Sequence, residues 1–210
     1  TIYSIPGLYE QVFSEKLKCK SQKVIADLLA VNVERVGSNF TDLRILDFGA
    51  GNGLVAEALS RYDPELIVGV DILEEAKTAA MRDRKELYAS YLVEDLAEAD
   101  LPTMNELKSL RLNAMVSVAA MGFGHIAPKG FVNAFNLIEK EGLVAFNLRD
   151  KFLTKDDVSG FQKTLDHLEK EAITFIEEKT YAHRLSFSGE PIFYRAFIGK
   201  KRDDIERKAG

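Results

Sequence analysis

The chain has 210 residues, 46% of them hydrophobic and 29% charged, with a net charge of −5, which suits one globular domain with a sizeable core. Lys and Arg are scattered apart from small clusters such as Lys200-Lys201-Arg202, so the concentrated basic face that nucleic acid demands is missing. No apolar run reaches the ~18 residues of a membrane span and no basic-then-apolar signal pattern is present, so a cytoplasmic protein is expected; Cys19, the only cysteine, excludes an internal disulfide and a thiolate zinc site and is expected simply to pack.

Residues 1–40 read as a helical lead-in, too short to bury a core of its own, ahead of a domain over 41–210. Leu8, Val12, Phe13 and Leu17 recur at helical spacing, and a second helix runs from Ser21, placed to cap it, through Val36 to Gly37. Such a segment can lie across a ligand, which makes Tyr3, Tyr9 and Phe13 candidate lid or substrate contacts; ordinary packing is the plainer reading. Next comes Ile45-Leu46-Asp47-Phe48-Gly49-Ala50-Gly51-Asn52-Gly53, an apolar strand that meets an acid and then three alternate glycines, followed by a helix from Leu54 to Leu59. The glycines allow positive φ and leave bare backbone, with amides and the positive helix end expected to face a ligand. In the dinucleotide pattern G-x-G-x-x-G the third glycine would fall at Leu54, whose side chain obstructs the close strand–helix approach. A pyrophosphate site, and with it a nicotinamide dehydrogenase, is disfavoured.

The run from Leu66 to Ile72 predicts a buried parallel strand that closes on Asp71. That acid follows Asp47 at nearly the roughly 20-residue offset at which a carboxylate meets a ribose in nucleoside-binding βαβ units. Each charge-assisted bond to a ribose hydroxyl is worth on the order of 1.5–3 kcal/mol. A helix from Glu74 to Lys85 and a strand from Tyr88 to Val93 lead to Glu94-Asp95-Leu96. Leu112 to Ala120 predicts the fourth strand, which empties into Met121-Gly122-Phe123-Gly124-His125. Ligands of such sheets sit outside the strands' carboxyl ends where chain order reverses, between strands one and four, so this loop is expected to face the reacting atoms. Then follow a helix around Val132 to Lys140, a strand from Leu143 to Leu148, Arg149-Asp150, and a helix starting at Asp156 or Asp157 toward Glu171. Strands Thr174–Leu185 and Ile192–Lys200 close the chain around Ser188-Gly189-Glu190-Pro191. Strands alternating with helices imply an α/β, doubly wound sheet with right-handed crossovers.

The spacing D-x-G-x-G-x-G from Asp47 to Gly53, the acids closing successive strands and the terminal hairpin resemble the class I S-adenosylmethionine-dependent methyltransferases over about residues 41–200. More narrowly, Gly53-Leu54-Val55-Ala56, Gly124-His125 and the run Gly142 to Arg149 resemble methyltransferase-like proteins of the Williams–Beuren region type. The resemblance implies a Rossmann-like seven-stranded sheet of order 3-2-1-4-5-7-6 with strand seven antiparallel, S-adenosylmethionine as cofactor, and in-line transfer of its sulfonium methyl. It places the cofactor's amino-acid part on Asp47, Phe48, Gly49, Ala50, Gly51, Asn52 and Gly53, and the ribose on Asp71. Asp95 would meet the adenine amine, Leu96 and Ile72 its two faces, and Ala119 and Met121, at the strand-four end, would also bind the cofactor. Locally, Asp95 reads equally as a cap on the following turn.

An activated methyl needs alignment and exclusion of water more than it needs a base. His125 is the candidate base, because a neutral imidazole can take a proton near physiological pH; a structural loop histidine is the alternative. Arg149, Tyr181 and His183 are candidates to orient an acceptor carboxylate or hydroxyl. No Asn-Pro-Pro-Tyr or Asp-Pro-Pro-Tyr run is present to grip a planar nitrogen, and no acid triplet has metal-ligand spacing, so no metal is expected. A small-molecule acceptor leads and a protein acceptor follows. The remaining alternative is a non-catalytic module that binds the cofactor, a nucleoside or a partner, since fold alone does not fix function.

Overall fold

Apolar, branched runs with alternating destinations build the sheet. The computed structural model describes residues 2–122, 126–154 and 156–205. Strands β1 (Arg44–Phe48), β2 (Leu66–Asp71), β3 (Ser90–Val93), β4 (Ala114–Ser117), β5 (Leu143–Arg149), β6 (Ile173–Leu185) and β7 (Pro191–Lys201) form one sheet in the order β3-β2-β1-β4-β5-β7-β6. The first five are parallel, and β7 runs antiparallel to both β5 and β6. Topology and strand direction agree with the order expected from the resemblance. Chain order reverses between β1 and β4, where Ile45 pairs with Ala114 and Asp47 with Val116.

Neighbouring residues on each central strand feed opposite layers, as the two-residue period requires. Leu46, Val68, Met115, Val144 and Phe146 join one core with Phe131, Phe135 and Leu168. Ile45, Ile67, Val116, Leu143 and Ala145 join the other with Ile25, Leu29 and Leu59. The first layer is covered by α4 (Leu101–Ser109), α5 (Pro128–Asn136) and α6 (Phe161–Glu171), the second by α1 (Ser21–Arg35), α2 (Leu54–Ser60) and α3 (Glu74–Asp83). Phe131 and Phe146 are almost fully buried and meet edge-on at 5.1 Å, each side chain contributing roughly 1.5–3 kcal/mol by burial alone.

Several local expectations are corrected. The lead-in helix is π-wound over Glu10–Lys16, and Leu17 N–H reaches back five residues to Val12 O at 2.9 Å. Ser21 does not cap α1: Lys20 is the capping position, and the buried Ser21 hydroxyl bonds elsewhere. Helix α4 was not expected; Asp100 caps it by accepting from Thr103 N–H, and Pro102 sits in its first turn. The fourth strand is shorter than expected because Asn113 turns its amide onto Arg44 N–H and Asp42 O, and Ala119 takes a left-handed φ of 56°. Helix α5 begins at Pro128 rather than near Val132, and α6 at Phe161; Asp157 accepts from the backbone N–H groups of Ser159 and Gln162 just before it. Among the described residues no helix is long and apolar enough to cross a membrane.

Candidate functional site

A cavity of about 470 Å³ opens at the carboxyl ends of β1, β2 and β4, within the roughly 300–1,000 Å³ usual for small-molecule sites. Its floor is the glycine turn, where Gly49, Gly51 and Gly53 have φ of 79°, 55° and 88°. A Cβ on Gly49 would come within 2.3 Å of the Ala120 Cβ, and one on Gly51 within 3.0 Å of the Tyr3 hydroxyl. The glycines are therefore needed both for their backbone angles and for the close approach of neighbours.

Four of the turn's amides are engaged within the chain rather than facing outward. Gly49 and Ala50 N–H donate to Val70 O, Gly53 N–H donates to Ala50 O, and Gly51 N–H donates to the Asp71 carboxylate at 2.9 Å. The turn offers bare backbone with four of its amides engaged, and among the described residues the Asn52 and Leu54 N–H groups at the start of α2 carry no hydrogen bond. Asp71 lies on the cavity wall at the tip of β2; its second oxygen accepts from Leu73 N–H at 3.0 Å. A carboxylate has about four acceptor sites, so two remain for a ligand.

Asp47 is placed differently. It is wholly buried beneath the turn and off the cavity wall, accepting from the Tyr88 hydroxyl at 2.8 Å while its other oxygen has no partner. Desolvation, opposed by the Tyr88 bond and aided by the charge of Asp71, pushes its carboxyl up to about 7.

The roof comes from the lead-in. Ile2, Tyr3, Tyr9 and Phe13 line the cavity, with Tyr3 stacked on Tyr9 at 5.2 Å and Tyr9 packed on Phe13 at 4.6 Å. Glu10 ties this roof to the floor by accepting from Asn52 Nδ2 at 2.9 Å and pairing with Arg84 at 3.0 Å.

At the far end of the sheet, β6 and β7 add His183, Arg184 and Tyr194. The His183 ring stacks on Tyr194 at 4.1 Å, and its Nδ1 lies 2.5 Å from Ser21 Oγ. Ser21 Oγ is 2.6 Å from the Tyr181 hydroxyl, which accepts from Asn147 Nδ2 at 2.6 Å; Asn147 Oδ1 in turn accepts from Ala119 N–H at 2.7 Å. Burial, reinforced by the positive fields of Arg184 and Arg149, pushes His183 down to about 4, so the ring is neutral at physiological pH.

No family model matches the chain. A stretch of 115 residues is 28% identical to a ubiquinone biosynthesis O-methyltransferase of Neisseria meningitidis, covering 51% of this chain and 44% of that protein. The chain thus spans less than half the length of the curated relative it matches. Among solved structures, an S-adenosylmethionine-dependent methyltransferase of Clostridium acetobutylicum superposes with a TM-score of 0.61 at 11% identity, over 93% of this chain and 96% of that one. The N-methyltransferase NodS of Bradyrhizobium japonicum, bound to S-adenosylhomocysteine, gives 0.61 at 13% identity, over 86% of each chain. Magnesium protoporphyrin IX methyltransferase of Synechocystis, also with S-adenosylhomocysteine, gives 0.59 at 14% identity, over 87% of this chain and 83% of that one. The fold is that of the class I S-adenosylmethionine-dependent methyltransferases.

Within this methyltransferase fold the cavity gathers Phe48, Gly49, Ala50, Gly51, Asn52, Asp71, Ile72, Ala119, Tyr9, Phe13 and His183 from the residues singled out in the sequence. Others lie elsewhere. Gly53 backs onto Arg84 and Tyr88, Met121 is a core residue, and Tyr181 stands behind the wall as the link between Ser21 and Asn147. Arg149 is exposed at the end of β5. Asp95 accepts from Ala97 N–H at 2.8 Å, as the capping alternative expects, while Leu96 is buried in the core. The neighbouring Glu94 is the acid on the wall. His125 lies outside the described residues. Sequence reasoning missed Glu94, Ser21, Arg184 and Tyr194 as wall residues, and Cys19, expected only to pack, also lines the cavity. Among those residues described, no group of three His, Cys, Asp or Glu side chains could hold a metal ion.

Proposed function

We propose that this protein is an S-adenosylmethionine-dependent methyltransferase acting on a small-molecule acceptor. One observation carries the reading: a single cavity is walled at one side by the bare glycine turn and Asp71, and at the other by aromatic rings and His183. The cofactor would supply an electrophilic methyl on a sulfonium, and the chain's own residues need only align the acceptor and exclude water. Asp71 holds the ribose hydroxyls, Phe48 to Asn52 the amino-acid portion, and Ile72 and Glu94 the base. The glycine turn, with four of its amides already taken, suits this cofactor, which carries no phosphate. Tyr9 and Phe13 close over the site and shield it from water. The match to an O-methyltransferase supports an oxygen acceptor. The narrower resemblance to the Williams–Beuren region type adds no acceptor chemistry to this reading.

Calorimetry with S-adenosylhomocysteine tests it. Binding is expected, and Asp71→Ala should weaken it at least about tenfold, or ~1.4 kcal/mol, with the far-ultraviolet circular dichroism unchanged. An affinity that survives the substitution removes the ribose assignment; no binding to the parent protein removes the function.

A further inference from the structure

We propose that the β6 side of the cavity is an anion clamp, built from the Arg184 guanidinium and the Nε2–H of His183, and that the acceptor is a small aromatic acid. The proposal rests on the methyltransferase reading and names its substrate class. Consecutive residues of a regular strand point to opposite faces, so His183 and Arg184 should not share a wall. They do so here because the β6–β7 ladder slips between Ala182, opposite Phe193, and Arg184, opposite Ile192, leaving His183 as the extra residue of a bulge. Bulges re-aim side chains in this way beside functional sites.

The buried hydrogen-bond chain then sets which nitrogen of His183 carries the proton. Its one fixed direction is at the backbone: Ala119 N–H donates to Asn147 Oδ1, so Asn147 Nδ2 donates to the Tyr181 oxygen. The Tyr181 hydroxyl is buried, and Ser21 Oγ is the acceptor left for its proton. Ser21, having accepted, donates its own proton to His183 Nδ1. Any other direction leaves a buried donor without an acceptor, which costs its full desolvation penalty. The imidazole is therefore protonated at Nε2, and this second nitrogen is a hydrogen-bond donor rather than a base.

Charge sorts the walls in the same sense. The charged residues lining the cavity are Asp71 and Glu94, from β2 and the end of β3, and Arg184 from β6. Arg184 donates to Leu185 O and forms no ion pair among the described residues, although the chain carries net negative charge. Its guanidinium stands 5.8 Å over the Phe13 ring, beside Tyr9, so the clamp adjoins an aromatic surface. A guanidinium and a neutral N–H donor side by side suit a carboxylate on a flat ring.

The test uses protein saturated with S-adenosylhomocysteine and three phenols sharing one scaffold: 4-hydroxyphenylacetate, 4-hydroxyphenylacetamide and tyramine, which are anionic, neutral and cationic. The carboxylate is expected to bind about tenfold or more tighter than the amide, and tyramine weakest. Arg184→Gln should level the three while S-adenosylhomocysteine binding stays within about twofold. A two-bond ¹H–¹⁵N spectrum should find His183 protonated at Nε2 and bare at Nδ1. Equal affinities, a ranking that survives Arg184→Gln, no binding of any of the three, or an Nδ1–H tautomer would each overturn the clamp. If S-adenosylhomocysteine itself does not bind, the function reading fails instead, and the charge ranking is read on the ligand-free protein.

Discussion

Asp47 and His183 are buried ionisable groups whose titrations oppose each other. Folding raises Asp47 from its ordinary value of 3.8 to about 7, so between those values the native chain keeps a proton that the unfolded chain has lost. The stabilisation is fully present below about 4 and is lost as pH rises through about 7. His183 falls from 6.5 to about 4, so its contribution is fully present above about 6.5 and is lost as pH falls. Over the shared window the two slopes offset each other in the parent protein. Asp47→Asn removes one of them while keeping an oxygen to accept from Tyr88. Relative to the parent, the variant should gain on the order of 2–4 kcal/mol between pH 4.5 and pH 7.5, read from urea unfolding at the two pH values. A difference that does not change with pH would show that Asp47 titrates normally. The motif picked out this acid, but a strand-end carboxylate reads the same whether it faces a ligand or supports the turn from below. Only the packing of Tyr88, from a distant segment, decides it.

Elements were legible where backbone chemistry is local and obscure where it depends on a partner strand. The β1–turn–α2 unit could be read because alternate glycines before an apolar helix admit few conformations. Helix α4 went unseen because its apolar face is thin: Leu101 is 78% exposed and Leu107 alone is buried, although Asp100 and Pro102 were usable start signals. The bulge at His183 has no sequence signature, since a register slip belongs to a pair of strands rather than to either one. This hid Arg184. The π-wound lead-in was equally invisible in apolar spacing alone, and it carries a prediction of its own. Glu10 bonds Asn52 in the glycine turn and Arg84, whose side chain is 11% exposed and also pairs with Glu57 at 2.5 Å. Glu10→Ala should cost about 1–3 kcal/mol of global stability, because the buried Asn52 amide loses its acceptor, and release the roof, so that S-adenosylhomocysteine dissociates several-fold faster in stopped-flow displacement. An unchanged off-rate would mean that Tyr3, Tyr9 and Phe13 do not gate the site.

At the scale of the whole molecule, alternating strands and helices with a closing hairpin were enough to foresee the layers and the order of the sheet, because crossover handedness leaves few topologies. The cavity draws its walls from Ile2 through Tyr194, nearly the length of the chain, and of its two ends the sequence pointed to Tyr3, Tyr9, Phe13 and His183 but not to Arg184 or Tyr194. Residues 17–20 are laid against the end of β6 by Leu185 N–H to Leu17 O at 2.7 Å and Lys20 N–H to His183 O at 3.2 Å, so the roof and the clamp form one structure. A ligand that binds only the native state stabilises it by about 2.7 kcal/mol at 100 times its Kd. Every opening that breaks the site must then overcome that added free energy, which slows exchange through such openings about 100-fold. Hydrogen exchange with S-adenosylhomocysteine should therefore protect the Gly49–Asp71 region and, far from it in sequence, the amides of Lys20 and Leu185. Protection confined to the glycine turn and β2 would mean that the β6 end opens independently of the cofactor, and that the cavity is two sites rather than one.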